Sequence, residues 1–164
     1  MNELEQETPQ DAWEVEALLD LCFAPGRTLL SSYRLRDNVA PVAPLCRVAR
    51  LDGAIAGSIR FWPVRVGKQA ALLLGPVAVH PTHQGEGLGA ALIRDGLAAA
   101  RREGWARVLL VGDAPYYGRF GFRRLDGVIM PPPTNPDRVL GIALEPGAWD
   151  GVTGPVTRWD SARD

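Results

Sequence analysis

The region from residue 70 to residue 112 constrains the fold of this chain most strongly. Ala70–Val79 has the sequence "AALLLGPVAV" and Ala106–Gly112 has "ARVLLVG", and both are as apolar as strands that are buried on both faces. Between them we predict a helix from Gly87 to Glu103, with Gly104 at its C-terminal cap, because apolar residues recur along one face. A strand, a helix and a second strand of this length predict a parallel pair with a right-handed crossover.

Tight turns upstream predict three consecutive antiparallel strands. The segments Leu45–Leu51 and Ala54–Val66 precede Ala70–Val79, and the turn sequences Asp52–Gly53 and Gly67–Gln69 separate the three. The first ten residues are polar, and they allow at most one short edge strand.

Weaker patterns complete the predicted fold. Asp11 is a plausible N-cap for a helix that runs to Phe23, and residues 26–38 predict a second short helix. Downstream, residues 114–120 predict one or two helical turns, and residues 121–125 and 137–144 predict strands on either side of a rigid proline-rich loop. The sum is an α+β fold, in which residues 1–164 form a single domain around a mixed central sheet with helices on both faces.

Composition excludes several classes of function. The chain has 164 residues and a formal net charge of −1, so it offers no basic surface for nucleic acid. Cys22 and Cys46 have no metal-ligand spacing, and we predict no metal site. No apolar run is long enough to cross a membrane, and no secretory leader is apparent, so we expect a cytoplasmic protein.

Glycines cluster where the predicted helix begins. The sequence "QGEGLGA" spans Gln84–Ala90 and places three glycines at alternate positions. The first turn of a helix leaves backbone N–H groups unpaired, and glycines let an anion approach them closely. The spacing alone is compatible with a phosphate or diphosphate site and equally with a simple tight turn between strand and helix.

Two phosphate-binding patterns compete for this turn. "GEGLGA" satisfies the dinucleotide-binding pattern G-x-G-x-x-A, and Asp113 ends the next strand at nearly the expected distance. In that fold, however, the glycines follow their strand directly, whereas "HPTHQ" intervenes here. Only one strand–helix–strand unit is predicted, so the nicotinamide-dinucleotide interpretation is disfavoured.

The other pattern is Gln84-x-x-Gly87-x-Gly89, which opens the helix after a buried strand and a short loop. With "PYYGRFGF" about thirty residues downstream, it resembles the signature of the GCN5-related N-acetyltransferase (GNAT) family. The resemblance covers roughly residues 45–144, and "GDAPYYGRFGF" is most similar to the bacterial YhbS-like branch. It implies a GNAT-like acyl-CoA N-acyltransferase fold and transfer of an acetyl group from acetyl-CoA to a primary amine.

The resemblance implies how this chain would hold acetyl-CoA. Backbone amides of the glycine turn would bind its diphosphate, and the end of the central strand would pair with its pantetheine arm. The implied cofactor-binding residues are Val77, Ala78, Val79, Gln84, Gly85, Glu86, Gly87, Leu88, Gly89 and Ala90. The Glu86 carboxylate should point away from the anion. A β-bulge at Gly75–Pro76 would splay this strand from its parallel neighbour and open a slot.

The resemblance also implies catalytic groups. Tyr117 matches the family tyrosine that protonates the departing thiolate, and a phenol with a pKa near ~10 suits that task. The Val79 N–H is the expected donor to the thioester carbonyl. No acidic residue lies on the central strand, so the general base stays open among Asp113, His80 and His83, a chain of waters and an amine that is already neutral. Asp113 is equally compatible with capping a helix.

The acceptor side is less defined. Arg60, Trp62 and Phe23 are the predicted acceptor contacts, and Tyr116, Phe120 and Phe122 are expected in the core. The acceptor would be a small-molecule or peptide amine, and the family suggests a homodimer. The missing strand carboxylate leaves a second hypothesis, that of a non-catalytic acyl-CoA sensor.

Overall fold

The computed structural model describes residues 3–23, 27 and 31–160. Its strands are β1 (Glu3–Gln6), β2 (Arg47–Leu51), β3 (Ala54–Val66), β4 (Gln69–Val79), β5 (Arg107–Val111), β6 (Arg123–Arg124), β7 (Val128–Ile129), β8 (Val139–Ala143) and β9 (Gly154–Arg158). Its helices are α1 (Ala12–Phe23), α2 (Ser31–Arg34), α3 (Leu88–Arg102) and α4 (Ala114–Tyr117).

The sheet is mixed, as predicted. Its strand order is β1-β2-β3-β4-β5-β8-β6, with β9 paired to the far half of β3 and β7 paired to β9. The pair β4–β5, which α3 connects, is parallel, and so is the short pair β7–β9, while the other pairs are antiparallel. This is not the doubly wound parallel sheet that a dinucleotide-binding domain requires, so the fold removes the support for that interpretation.

Several predicted elements are confirmed. The three-stranded meander, the edge strand β1 and the helix after Gly87 lie where the sequence places them. The second short helix is a single turn, α2, and the part of that prediction at residues 26 and 28–30 lies outside the described residues. The strands β7 and β9 were not predicted. β7 has only two residues, and in β9 glycine and proline weaken the strand signal of "GPVTR".

Helices cover both faces of the sheet. On one face, Leu92 and Leu97 of α3 pack with Phe61 of β3 in the largest apolar cluster. On the opposite face, Val15 and Leu19 of α1 pack over β2, β3 and β4. The long central strand β4 therefore runs between two covered faces, and its C-terminal end is held between α1 and α3.

A bulge separates the two halves of β4. Ile59 pairs with Val77 and Phe61 pairs with Leu74, so Gly75 and Pro76 together oppose one residue of β3. The predicted bulge is thus confirmed. Pairing of β4 with β5 ends at Leu73–Leu109, which leaves the segment beyond the bulge without a partner on that side.

None of the helices within residues 3–23, 27 and 31–160 combines the length and the apolar composition that crossing a membrane requires.

Candidate active site

The glycine turn presents free backbone donors at the start of α3. Gly87 is the N-cap residue, and its φ of +81° is a conformation that favours glycine. The first hydrogen bond within the helix runs from the Ala91 N–H to the Gly87 carbonyl, at 3.0 Å. The N–H groups of Leu88, Gly89 and Ala90 therefore have no acceptor inside the helix, and no side chain caps it. These donors carry the partial positive charge of the helix N-terminus.

A depression of about 460 Å³ lies over this turn, lined by Gln84, Gly85, Gly87, Gly89, Tyr116 and Arg119. Glu86 does not line it, and its carboxylate lies 3.2 Å from the ring of His83, which does line it. That Glu86 points away from a bound anion stays a prediction. Arg119 was missed by sequence reasoning. Its guanidinium stacks over the Tyr116 ring at 4.7 Å and adds a positive charge to the depression.

The end of β4 turns backbone groups that β3 does not pair toward a slot, which residues of α1, α3 and α4 also line. The His80 N–H donates to the Ala56 carbonyl at 2.7 Å, and successive residues of a strand bond to opposite sides. The backbone groups of Val79 and Val77 therefore face away from β3. Consistent with this, the Val79 carbonyl accepts hydrogen bonds from Cys22 Sγ at 3.3 Å and Gln84 Nε2 at 3.4 Å. Ala78 also lines the slot.

Tyr117 lies where this slot meets a further cavity, and it lines both. Its position depends on Gly112, since a Cβ at that residue would lie 2.5 Å from the Tyr117 Cε2 atom. Burial raises the pKa of the Tyr117 phenol above its ordinary value of 10.0, and Tyr116 and Asp113 act in the same direction. The phenol is consequently protonated at neutral pH and can donate.

Asp113 has a structural contact. It is the N-cap of α4, and its Oδ2 accepts the Tyr116 N–H at 3.3 Å. Its side chain is exposed and lines none of the three depressions described here. The geometry supports the capping alternative, and a part for Asp113 in catalysis stays a prediction.

The neighbouring tyrosine differs from expectation. Tyr116 was predicted as a core aromatic, but it is half-buried and lines both the depression and the slot. Its hydroxyl would lie 3.6 Å from a Cβ at Gly89, so it faces the glycine turn. The turn at Asp113 directs two successive ring side chains toward the site, because α4 is only one helical turn long. Phe122 is buried in the core as predicted, at 4% exposure. Phe120 is partly buried and packs against the same core.

The further cavity has a volume of about 210 Å³ and is the candidate acceptor cavity. Phe23 at the end of α1 lines it, together with Tyr33, Arg36, Leu110, Tyr117 and the bulge of β4. The predicted acceptor contact at Phe23 is therefore compatible with the structure. The two other predicted contacts line neither the slot nor this cavity.

Arg60 and Trp62 form hydrogen bonds within the protein that stabilise the elements around the site. Arg60 binds both carboxylate oxygens of Glu7, at 3.1 and 2.9 Å, and one of Glu16, at 2.7 Å. The Trp62 indole N–H donates to the carbonyl of Gly75 at 2.7 Å, which fixes the bulge. The expectation that both bind the acceptor directly is thus corrected, because their polar groups are bonded within the protein.

The charged side chains that line the acceptor cavity are basic. Among the described residues that line it, the charged ones are Arg27 and Arg36, and none is a carboxylate. Arg27 is paired with Glu16 at 3.1 Å and with Asp20. In the part of the chain that the structure describes, no group of three or more histidine, cysteine, aspartate or glutamate side chains is placed to hold a metal ion.

This arrangement of a glycine turn, a splayed strand and a buried tyrosine can be compared with known proteins. The model of the acetyltransferase (GNAT) family matches residues 4–122, which is most of the chain. The chain belongs to the GNAT family. The resemblance predicted from the glycine turn and the "PYYGRFGF" segment is confirmed.

Similar proteins place the chain near one branch of the GNAT family. It is 34% identical over 119 residues to the uncharacterized N-acetyltransferase YhbS of Escherichia coli K12, covering 71% of this chain and 70% of that protein. The crystal structure of Escherichia coli YhbS in complex with CoA superposes with a TM-score of 0.84, at 28% identity over 99% of this chain and 92% of that one. A GNAT acetyltransferase from Brucella melitensis in complex with acetyl-CoA gives a TM-score of 0.75, at 32% identity over 100% of this chain and 99% of that one.

Proposed function

We propose that this protein transfers the acetyl group of acetyl-CoA directly to a primary amine. The observation that carries the proposal is one continuous path. It starts at the free N–H groups of α3, follows the unpaired edge of β4, and ends at Tyr117 beside the acceptor cavity. The similar proteins from Escherichia coli and Brucella melitensis, solved with CoA and acetyl-CoA, support this choice of cosubstrate.

The cofactor half of the site fits CoA through the main chain. The N–H groups of Leu88, Gly89 and Ala90 would hold the diphosphate, because several aligned donors and the helix dipole favour an anion there. The backbone of Val77 and Val79 would bond to the amides of the pantetheine arm as an added strand would. Bound acetyl-CoA supplies an activated acetyl group, which passes to the amine as CoA leaves as a thiol.

Two groups of the chain would stabilise the charge that develops during transfer. The Val79 N–H faces the slot and is available to the carbonyl oxygen of the acetyl group. The Tyr117 phenol would give its proton to the departing sulfur. A thiol has a pKa near ~8.5, so a positioned phenol that remains protonated at neutral pH can assist its departure.

The amine must lose a proton before it attacks, and the cavity offers no carboxylate among its described lining residues. We propose that the amine enters as the neutral base and, after attack, loses one of its two N–H protons to water. The water then returns a proton to the Tyr117 phenolate, so that the amide and the CoA thiol leave and the enzyme is restored. The positive charge of Arg36 favours the neutral amine over the ammonium ion in this cavity.

The same lack of a carboxylate supports the second candidate, a sensor that binds acyl-CoA without turnover. A screen of primary amines for release of the CoA thiol from acetyl-CoA separates the two. Saturable release with any amine supports the enzyme, whereas tight acetyl-CoA binding without release from a broad panel supports the sensor. Calorimetric titration with NAD alongside acetyl-CoA tests the dinucleotide alternative, which predicts binding of NAD alone.

A further inference from the structure

Arg36 stands out among the residues of the acceptor cavity. Its guanidinium stacks over the Tyr33 ring at 4.0 Å and lies 5.4 Å from the centre of the Trp62 ring. Its Nη2 lies 3.5 Å from the point that a Cβ at Gly75 would occupy, so it reaches the bulge of β4. Two aromatic rings and the bulge therefore hold this charged group at one wall of the cavity that Tyr117 also lines.

Arg36 forms no ion pair among the residues that the structure describes, although the Glu16 charge and the Tyr33 side chain both raise its pKa and so favour its charged form. Its Nε and Nη1 atoms are buried and have no hydrogen-bond partner there. The neighbouring arginines differ, because Arg27 is paired with Glu16 and Asp20, and Arg60 with Glu7 and Glu16. The carboxylates of Glu7, Glu16 and Asp20 thus already form ion pairs with these two arginines. A buried charge without a partner is unfavourable, and it gains most from an anion that enters the site.

Arg36 stays cationic despite its burial. Loss of water around the guanidinium lowers its pKa to about 10, and the positive charge of Arg60 contributes in the same direction. At neutral pH the group therefore still carries its positive charge and all its N–H donors. Stacking on the Tyr33 ring restricts its orientation, so little freedom would be lost when it binds a ligand.

We propose that Arg36 binds a carboxylate of the acceptor, which makes the acceptor a small amine that also carries a carboxylate. This inference rests on the proposed acetyltransferase function. A guanidinium N–H group donates a short, charge-assisted hydrogen bond to a carboxylate, which is stronger than a bond between neutral groups. The cavity volume of about 210 Å³ is below the ~300–1,000 Å³ of typical drug-sized sites, which suits an acceptor of amino-acid size. Such a molecule would span the cavity with its amine toward the Tyr117 end and its carboxylate at Arg36.

The test compares matched acceptors. The α-amino acids, β-alanine and γ-aminobutyrate are each assayed beside the corresponding carboxamide, with thiol release as the readout. Because amides have less basic amino groups, kcat/KM is expressed per concentration of neutral amine. We expect at least one carboxylate acceptor to exceed its carboxamide by about 10- to 100-fold, the range for a hydrogen bond to a charged group. Equal turnover of acids and carboxamides would overturn the inference and leave the proposed function intact.

Variants then assign the preference to Arg36. Arg36→Met should remove the preference by lowering kcat/KM for the acid alone, mainly through KM, and Arg36→Lys should restore part of it. Arg34→Met is the matched control, because Arg34 is an exposed arginine at the end of α2, two residues before Arg36, and it should change nothing. A loss of acid and carboxamide turnover in the same proportion would mean that Arg36 is only structural. An aminoalkylphosphonate preferred over its matched carboxylate would show that the anion is not a carboxylate.

Binding provides a readout that does not need turnover. Calorimetry is carried out with N-acetylated amino acids and their carboxamides, with and without saturating CoA. Binding of the acids alone, lost in Arg36→Met but kept in Arg34→Met, supports the carboxylate site even if no amine is acetylated, in which case the proposed function fails by itself. If neither acids nor carboxamides bind and no carboxylate acceptor is preferred, the inference fails.

Discussion

The two halves of the candidate site are built from different parts of the polypeptide. The cofactor half consists of main-chain groups, namely the N–H donors at the start of α3 and the free edge of β4 beyond its bulge. The acceptor half consists of side chains, chiefly Phe23, Tyr33 and Arg36. A main-chain site depends on where glycines occur and little on other side chains, whereas a side-chain site changes with every substitution. The first half is therefore where the family resemblance lies, and we expect the second half to determine the acceptor.

Tyr117 lies on the boundary between the halves, and its removal should have the largest effect. We expect Tyr117→Phe to lower kcat by about 100-fold or more, within the range for a lost general acid, while acetyl-CoA binding is retained. Stopped-flow or steady-state thiol release measures kcat, and calorimetry measures binding. Unchanged turnover would remove Tyr117 from the mechanism.

The pH profile provides a second test of Tyr117. Burial raises the pKa of its phenol, so the protonated form persists past the ordinary value of 10.0. The rate should rise with pH as the acceptor amine becomes neutral, and any decline caused by Tyr117 should have its midpoint above pH 10. That decline should be absent in Tyr117→Phe. A decline with a midpoint below pH 9, about one pH unit lower, would contradict the assigned acid.

A side chain added at the glycine turn should disrupt acetyl-CoA binding by the main-chain half of the site. A Cβ at Gly89 would lie 3.5 Å from Val79 Cγ2, an ordinary contact, so Gly89→Ala should be tolerated. Gly89→Val should weaken acetyl-CoA binding by at least about tenfold, because the larger side chain covers the N–H donors, and one lost hydrogen bond to a charged group costs about 1.5–3 kcal/mol.

The control for this series is Gly104→Ala at the other end of α3. Gly104 has a φ of +86°, so the substitution strains the chain far from the glycine turn. It should lower Tm without changing the Kd for acetyl-CoA. If Gly89→Val binds acetyl-CoA as well as the wild type does, the diphosphate is not held by this turn.

The bulge that joins the two halves depends on Trp62. Trp62→Phe leaves the Gly75 carbonyl without its donor, which should cost about 1–3 kcal/mol of unfolding free energy and raise KM for acetyl-CoA a few-fold. Chemical denaturation and steady-state kinetics measure the two effects. Trp13→Phe is the control, since Trp13 is 83% exposed and should tolerate the change. Equal effects of the two variants would show that the bulge does not need this hydrogen bond.

Asp113 should show the smallest effect. Asn caps helices about as well as Asp, so Asp113→Asn should leave both stability and turnover close to wild type. Asp113→Ala removes the cap and should cost about 1 kcal/mol without a matching loss of kcat. A fall in kcat of about 100-fold in Asp113→Asn would instead identify Asp113 as the general base.

The same contrast explains how much could be predicted from sequence. The glycine turn depends on local backbone conformation, which its glycines reveal directly, whereas the bulge was expected from the family resemblance and Gly75–Pro76 only gave its place. Arg60 was misassigned because its carboxylate partners, Glu7 and Glu16, lie 53 and 44 residues away in the chain. Nothing in a local pattern shows that an arginine is already paired.

The unpredicted parts share this dependence on distant contacts. The strand β9 is stabilised by pairing with Val64–Val66, about ninety positions earlier in the chain, and its own sequence has weak strand propensity. Arg36 carries no sequence signal, because its significance lies in the rings beside it and in two buried N–H groups that have no hydrogen-bond partner among the described residues. The predicted homodimer stays a prediction.

A crystal structure with acetyl-CoA would test the central claim most directly. The account predicts diphosphate oxygens within about 3.2 Å of the N–H groups of Leu88, Gly89 or Ala90, and the thioester sulfur within hydrogen-bond reach of the Tyr117 hydroxyl. A diphosphate bound away from the start of α3, or a sulfur many ångströms from that hydroxyl, would contradict it.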